Sequence, residues 1–360
     1  MFEEHNITSN LIFRKIDLGG LYMTSMSILD QSPIDINETV NDGIQRTVEL
    51  AQLADKLQYT RYFVAEHHNI PEVAGTSPEI LVTHLLNKTN KIRIGSGGVM
   101  LQHYSPFKVI EQFHFISHLA PGRVDLGIGK APGGFPLATQ ALQSEFKSPQ
   151  VTFNDKFQLL NSFNNRSFKE EDAYNQLQTS IRDSDVPTPE LFLLGGSDHS
   201  AQFAAKENVG FVYAFFINSN VDILRSAVKS YKQQYPEGRF IVAVAAVVTE
   251  NENEKALVEE GRTNYALHFK DGRKITVNTK EQLETFSKQS AEHFEVEEKQ
   301  IDVLEGSTAE VKHQLSQLNN EGLIDEFMLH MPIQNHKLRV KTVEQLAPSY
   351  TIANQKEGVL

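Results

Sequence analysis

The 360-residue chain predicts an α/β fold, a (β/α)8 TIM barrel with insertions after its fourth and seventh strands. Three observations carry that expectation. Short apolar runs alternate with amphipathic stretches, the pattern of parallel strands joined by crossover helices. Several of the apolar runs end in titratable or glycine-rich residues, and a β/α barrel places its chemistry at the C-terminal ends of its strands. No Gly-x-Gly-x-x-Gly follows the first strand, so the dinucleotide fingerprint of a doubly wound open sheet, the alternative fold, is missing.

Tyr22 to Leu29 reads as the first strand, closing in Asp30-Gln31-Ser32-Pro33. A helix over 38–57 follows, with Val40, Ile44, Val48, Ala51 and Leu57 near one face. Arg61 to Ala65 is the second strand. Ser77-Pro78-Glu79 then opens a helix: serine as N-cap, proline in the first turn, an acid beside the helix's positive end. The third strand is Ile92 to Gly95 or slightly longer, and Ser105-Pro106 opens the next helix by the same device, with Val109, Ile110, Phe113 and Ile116 facing inward. Pro121-Gly122 turns the chain into a fourth strand, Arg123 to Ile128.

Beyond it, 131–150 reads as a Gly/Pro-rich loop, 154–163 as a helix and 165–188 as irregular. Strands are expected at 191–194, 211–216, 241–248 and 326–330, with helices at 197–207, 221–231, 307–318 and 342–347. The charged stretch 252–300 reads as mostly helical.

Composition narrows the function. A net charge of -12 argues against a nucleic-acid surface, which needs clustered Lys and Arg for phosphate contacts. The chain has no cysteine, which removes disulfides, thiolate metal sites and a cysteine nucleophile. No apolar run reaches bilayer length, and 1–22 has no continuous apolar core of a secretory signal; a cytoplasmic location is expected, with 1–22 as a non-core N-terminal extension and 23–360 as one barrel domain.

Three segments carry candidate chemistry. Glu66-His67-His68 closes the second strand. The pair of histidines would serve as loop caps, as acid–base or hydrogen-bonding groups near a cofactor, or as metal ligands, although no third ligand at a recognisable spacing accompanies them. Gly95-Ser96-Gly97-Gly98 is either a strand terminus or a place where backbone must approach a flat ligand closely. Gly195-Gly196-Ser197-Asp198-His199-Ser200 lies between a strand and a helix, where exposed amides and hydroxyls would bind phosphate or Ser197 would simply cap the helix. Lys130, at the end of the fourth strand, would be a further phosphate contact or a solvated lysine.

In order, the segments 27–33, 64–69, 94–101, 121–129 and 194–198 resemble the bacterial-luciferase-like family of flavin-dependent monooxygenases, in its smaller single-chain branch. The resemblance implies a barrel that binds FMN at the strand ends and acts as a monooxygenase on a small organic substrate with O2. It implies catalysis by His67, a non-proline cis peptide at Gly97-Gly98 beneath the flavin ring, and phosphate contacts from Gly196, Ser197, Ser200 and Lys130. It further implies a separate flavin reductase as transient partner and a homodimer formed through the helices at 77–88 and 106–119.

The sequence departs from the family pattern in three places. Lys130 stands where the family usually has arginine, and loses the bidentate fork. The 131–136 loop lacks the acidic residue of many relatives. Gly129 occupies the position of luciferase's reactive cysteine, so light emission is not expected. Two other readings share the fold: a non-catalytic flavin-binding protein, and a deazaflavin (F420)-dependent oxidoreductase.

Overall fold

The computed structural model describes residues 24–35, 37–144, 151–181 and 186–348. The expected 1–22 extension lies outside them. Local sequence signals set most helix starts. Helix α1 (Val40–Lys56) begins at a capping box in which Thr39 and Asp42 satisfy each other's backbone donors. Pro78 and Pro106 start α2 (Pro78–Lys88) and α3 (Pro106–Leu119), as the sequence predicts. Val40 is exposed rather than facing the barrel, because the buried stripe of α1 runs through Gly43, Thr47, Leu50 and Ala54.

The barrel strands are β1 (Ser25–Asp30), β2 (Arg61–Val64), β3 (Arg93–Met100), β4 (Val124–Gly129), β5 (Glu190–Gly195), β6 (Gly210–Ala214), β7 (Phe240–Val248) and, last in the chain, a strand over Glu326–His330. Each pairs in parallel with its neighbours, and this last strand bridges β7 and β1 to close the cylinder. The closed sheet settles the choice between barrel and open sheet. Strand β3 outruns its predicted end: Gly95 to Gly98 stay within it, and its register against β4 shifts between Gly97 and Val99.

Alternate residues of each strand point into the barrel and stack in layers. The lowest layer is charged. Arg61 donates to Glu326 at 2.8 Å and to Asp125 at 2.9 Å, Arg93 donates to Asp125 at 2.9 Å, and Arg239 to Glu190 at 3.1 Å. Three arginines thus face three carboxylates. Two residues further along each strand lies an apolar layer of Leu29, Phe63, Phe192, Val212, Ile241 and Met328. Glycine makes room for its rings: a Cβ on Gly210 would stand 2.4 Å from the Phe192 ring, and one on Gly95 2.7 Å from Phe63. Outward-facing residues pack under the helices in the main core, which includes Ile28, Tyr62, Ile94, Leu126 and Phe211.

Two insertions depart from the barrel repeat, where the sequence places them. After β4 come α4 (Pro136–Leu142), in a stretch the sequence reads as loop, and α5 (Phe153–Asn165). The repeat then resumes with α6 (Asp198–Lys206) after β5 and α7 (Val221–Gln234) after β6.

After β7 the chain forms α8 (Glu252–Glu260), β8 (Thr263–Phe269), β9 (Lys274–Val277), α9 (Lys280–Gln289) and β10 (Phe294–Gln300). The expectation of a mostly helical 252–300 is therefore corrected: β8, β9 and β10 make an antiparallel sheet. Its outer strand β10 is largely exposed and carries Glu295, Glu297, Glu298 and Lys299, the charged dress of an edge strand, which imitates a solvated helix in composition.

The chain returns through β11 (Val303–Gly306), which pairs with the upper half of β7, and α10 (Thr308–Leu318) to the eighth barrel strand, β12 (Glu326–His330). The closing helix α11 (His336–Gln345) starts earlier than predicted, capped by Asn335.

Candidate active site

Four consecutive strands bring the predicted site residues to one rim. His67 follows β2, Gly97-Gly98 lies in β3, Lys130 follows β4, and Gly196, Ser197 and Ser200 follow β5. Three strand spacings separate the first group from the last, about 14 Å along the barrel wall.

Strand β2 ends at Val64, so Glu66, His67 and His68 escape strict strand alternation. Backbone bonds fix the turn: the His67 amide donates to the Gly75 carbonyl at 2.8 Å, and the His68 amide to that of Gly133 at 2.7 Å. The three side chains then diverge. Glu66 is fully buried and accepts from the Tyr104 hydroxyl at 2.7 Å and from the Met100 amide at 3.0 Å, and it pairs with His68 Nε2 at 2.7 Å. It ties the end of β2 to the end of β3. His67 stays half-buried with a buried, unpartnered Nδ1. Desolvation, reinforced by His68 and opposed by Glu66, pulls its pKa down to about 4, so the ring is neutral at pH 7. Among the described residues no three His, Asp or Glu side chains gather as a metal site.

The Gly97-Gly98 peptide is cis, as the resemblance implies. Neither residue has space for a side chain: a Cβ on Gly97 would meet Leu29 Cδ1 at 2.6 Å, and one on Gly98 the Gly127 carbonyl oxygen at 2.7 Å. The strand end is therefore bare backbone.

At the far end of the arc, Ser197 caps α6 by accepting from the Ser200 amide at 3.2 Å, and the two hydroxyls lie 2.9 Å apart. A Cβ on Gly196 would make only ordinary van der Waals contacts, with Asn218 Cβ at 3.6 Å and the Ala214 carbonyl oxygen at 3.8 Å. Lys130 is exposed on the neighbouring strand end, its ammonium 6.0 Å from the centre of the Phe153 ring. These groups suit a phosphate: hydroxyls and first-turn amides at a helix N-terminus, and a cation nearby.

Two groups that sequence reasoning did not place complete the rim. His330 ends β12, buried against the Phe216 ring at 4.7 Å between centroids. Asp30 ends β1 and accepts from Arg339 of α11 at 2.6 Å, from the Ser32 amide at 2.8 Å and from the Tyr62 hydroxyl. Burial alone would raise the Asp30 pKa; Arg339 and these hydrogen bonds outweigh it and hold the carboxyl below its ordinary value. Strand parity was the available signal for His330, which stands two and four residues beyond the inward-facing Met328 and Glu326.

The insertion after β7 reaches this rim from outside. Phe135, Tyr265, Leu267, Phe269, Val277 and Phe286 form a separate apolar cluster, joined by Ile70. Gln282 of α9 donates to Glu72 at 3.1 Å, and Gln289 accepts from the Leu137 amide at 3.2 Å. The antiparallel sheet and α9 thus rest on the loops that follow β2 and β4.

A closed (β/α)8 barrel with a neutral histidine, a bare strand end and a hydroxyl-bearing helix N-terminus on one rim has the architecture of a barrel enzyme. Residues 23–324 match the luciferase-like monooxygenase family, and the chain belongs to that family. It is an oxidoreductase of the monooxygenase class. It is 43% identical over 318 residues to the N-acetyl-S-alkylcysteine monooxygenase of Bacillus subtilis (strain 168), covering 87% of this chain and 94% of that one. Among solved structures, apo-MsnO8 superposes with a TM-score of 0.70 at 27% identity, covering 91% of this chain and 98% of its own. The oxygenating constituent of 3,6-diketocamphane monooxygenase from Pseudomonas putida, solved with FMN, shares the fold with a TM-score of 0.64 at 16% identity, covering 91% and 97%. Among the described residues no helix is long and apolar enough to cross a membrane.

Proposed function

We propose that the protein oxygenates an S-alkylated N-acetylcysteine or a related small thioether, using O2 and reduced FMN delivered by a separate flavin reductase in the cytoplasm. The observation that carries the cofactor reading is the arc itself, with the side-chain-free Gly97-Gly98 backbone and neutral His67 at one end and the Ser197 and Ser200 hydroxyls at the start of α6 at the other. The substrate reading rests on the name of the 43%-identical relative.

When bound, reduced flavin supplies the activation of O2. The chain's own residues do the rest. Gly97 and Gly98 present flat backbone on which a ring system can lie. The hydroxyls of Ser197 and Ser200 and the first amides of α6 bind phosphate, with Lys130 adding a point charge rather than a fork. His67, uncharged and with a free nitrogen, can hold or release a proton at the reacting end. The roof of β8–β10 and α9 limits access of water.

Anaerobic titration with FMN and with reduced FMN, followed by admission of O2 with and without N-acetyl-S-methylcysteine, tests this reading. Tight binding of reduced FMN and an oxygenated thioether are expected; preference for a deazaflavin would overturn the FMN assignment. His67→Ala is expected to lose 100-fold or more in turnover while FMN affinity stays within a few-fold. Unchanged reduced-flavin oxidation in that variant would favour a non-catalytic flavin-binding protein. We further propose a homodimer through α2 and α3, where Ile80, Phe115 and Leu119 are 67%, 59% and 58% exposed. A monomeric mass by light scattering would refute it.

A further inference from the structure

His330 is a titratable group that this chemistry leaves unused. Three contacts locate it. On β12, Glu326 belongs to the charged lower layer and Met328 to the apolar middle layer, so strand parity puts His330 in the layer above, at the C-terminal end of the barrel. Its register partner on β1 is Leu29, the side chain that a Cβ on Gly97 would strike at 2.6 Å; His330 and the cis peptide therefore flank the same leucine. Its other side meets Phe216 in the loop after β6.

The charged and titratable groups around it are Asp30 on β1, Arg339 on α11 and His67 after β2. Arg339 is already ion-paired to Asp30, so no carboxylate is free to stabilise an imidazolium. Burial, then Arg339, pull the His330 pKa down to about 4. The Leu29 carbonyl faces the ring and draws the single N–H of the neutral imidazole, leaving the second nitrogen as a hydrogen-bond acceptor.

We propose that His330 is a second histidine of the active-site bowl, two strands from His67, that meets bound ligand as a hydrogen-bond acceptor. The proposal rests on the reading that FMN and a thioether substrate occupy this bowl. A core histidine that merely fills space is the competing explanation, and it predicts no response to ligand.

Imidazole NMR spectra of histidine-labelled protein, with the His330 signals assigned by their loss in His330→Phe, test this without turnover. FMN alone is expected to shift the His330 resonances through the ring current of the flavin; unshifted signals at saturating FMN overturn the proposal whatever the substrate. In turnover, His330→Phe keeps a ring against Phe216 and is expected to raise KM for N-acetyl-S-methylcysteine, or lower oxygenated product per reduced FMN consumed, tenfold or more. FMN affinity should stay within threefold, and His330→Asn, which restores an acceptor, should recover most of the loss. Wild-type-like KM and product yield in His330→Phe overturn the proposal. Failure of the wild type to oxygenate the thioether, with the FMN-induced shift intact, sinks the substrate assignment and still supports His330 as a bowl residue.

Discussion

Glu66 shows how one buried carboxylate organises a rim. It accepts from groups 34 and 38 positions further along the chain, the Met100 amide and the Tyr104 hydroxyl, as well as pairing with His68. Truncating it strands these buried groups together. Glu66→Ala is expected to cost about 3 kcal/mol, the penalty of unsatisfied buried donors, read as a lower urea midpoint with an unchanged m-value. The same change frees the turn that carries His67, so turnover should fall further than stability does. In the sequence Glu66 was visible only as part of a polar triplet, because its role is set by partners that folding brings in. The cis Gly97-Gly98 peptide was legible through resemblance, whereas the residues alone left a turn as the commonest reading of those glycines.

The helix starts at Ser77-Pro78 and Ser105-Pro106 were the most legible elements, because such signals are local chemistry and need only a few residues to act. The sheet inserted after β7 was not. Its strands are stabilised by antiparallel partners and by a cluster whose members lie far apart in sequence, from Ile70 through Phe135 to Phe294. Phe286 sits at the centre of that cluster, with edge-on contacts to Phe135, Phe269 and Phe294. Phe286→Ala is expected to weaken the packing by about 3–5 kcal/mol, locally rather than globally. Limited proteolysis should then cut within 262–301 well before the barrel melts, and the barrel's own Tm should move little.

The barrel as a whole is held from below by charge and from within by rings. Arg61 is 1% exposed and bridges Glu326 and Asp125, so Arg61→Met removes the guanidinium that these two buried carboxylates share and is expected to cost about 3–5 kcal/mol. Chemical denaturation at pH 7 measures it, and lowering the pH should narrow the gap between variant and wild type as those carboxyls protonate. This floor was present in the sequence as charged residues two places before inward apolar ones, Arg61 before Phe63, Glu190 before Phe192 and Glu326 before Met328. Only the closed geometry reveals that they converge.

The same parity ends in His330 at the top, and its depressed pKa adds a pH dependence. The unfolded chain binds this proton near pH 6.5 and the folded one only near 4. The stabilisation is complete above pH 6.5 and is lost as pH falls towards 4, up to about 3 kcal/mol in all. A Tm profile over pH 4–8 should be steeper for wild type than for His330→Phe.

A cylinder stoppered at its base has one door. Whatever enters must leave by the same opening, beneath the lintel that the β7 insertion lays across the loops after β2 and β4. Arrivals and departures therefore exclude one another, and product should inhibit by competing for the doorway.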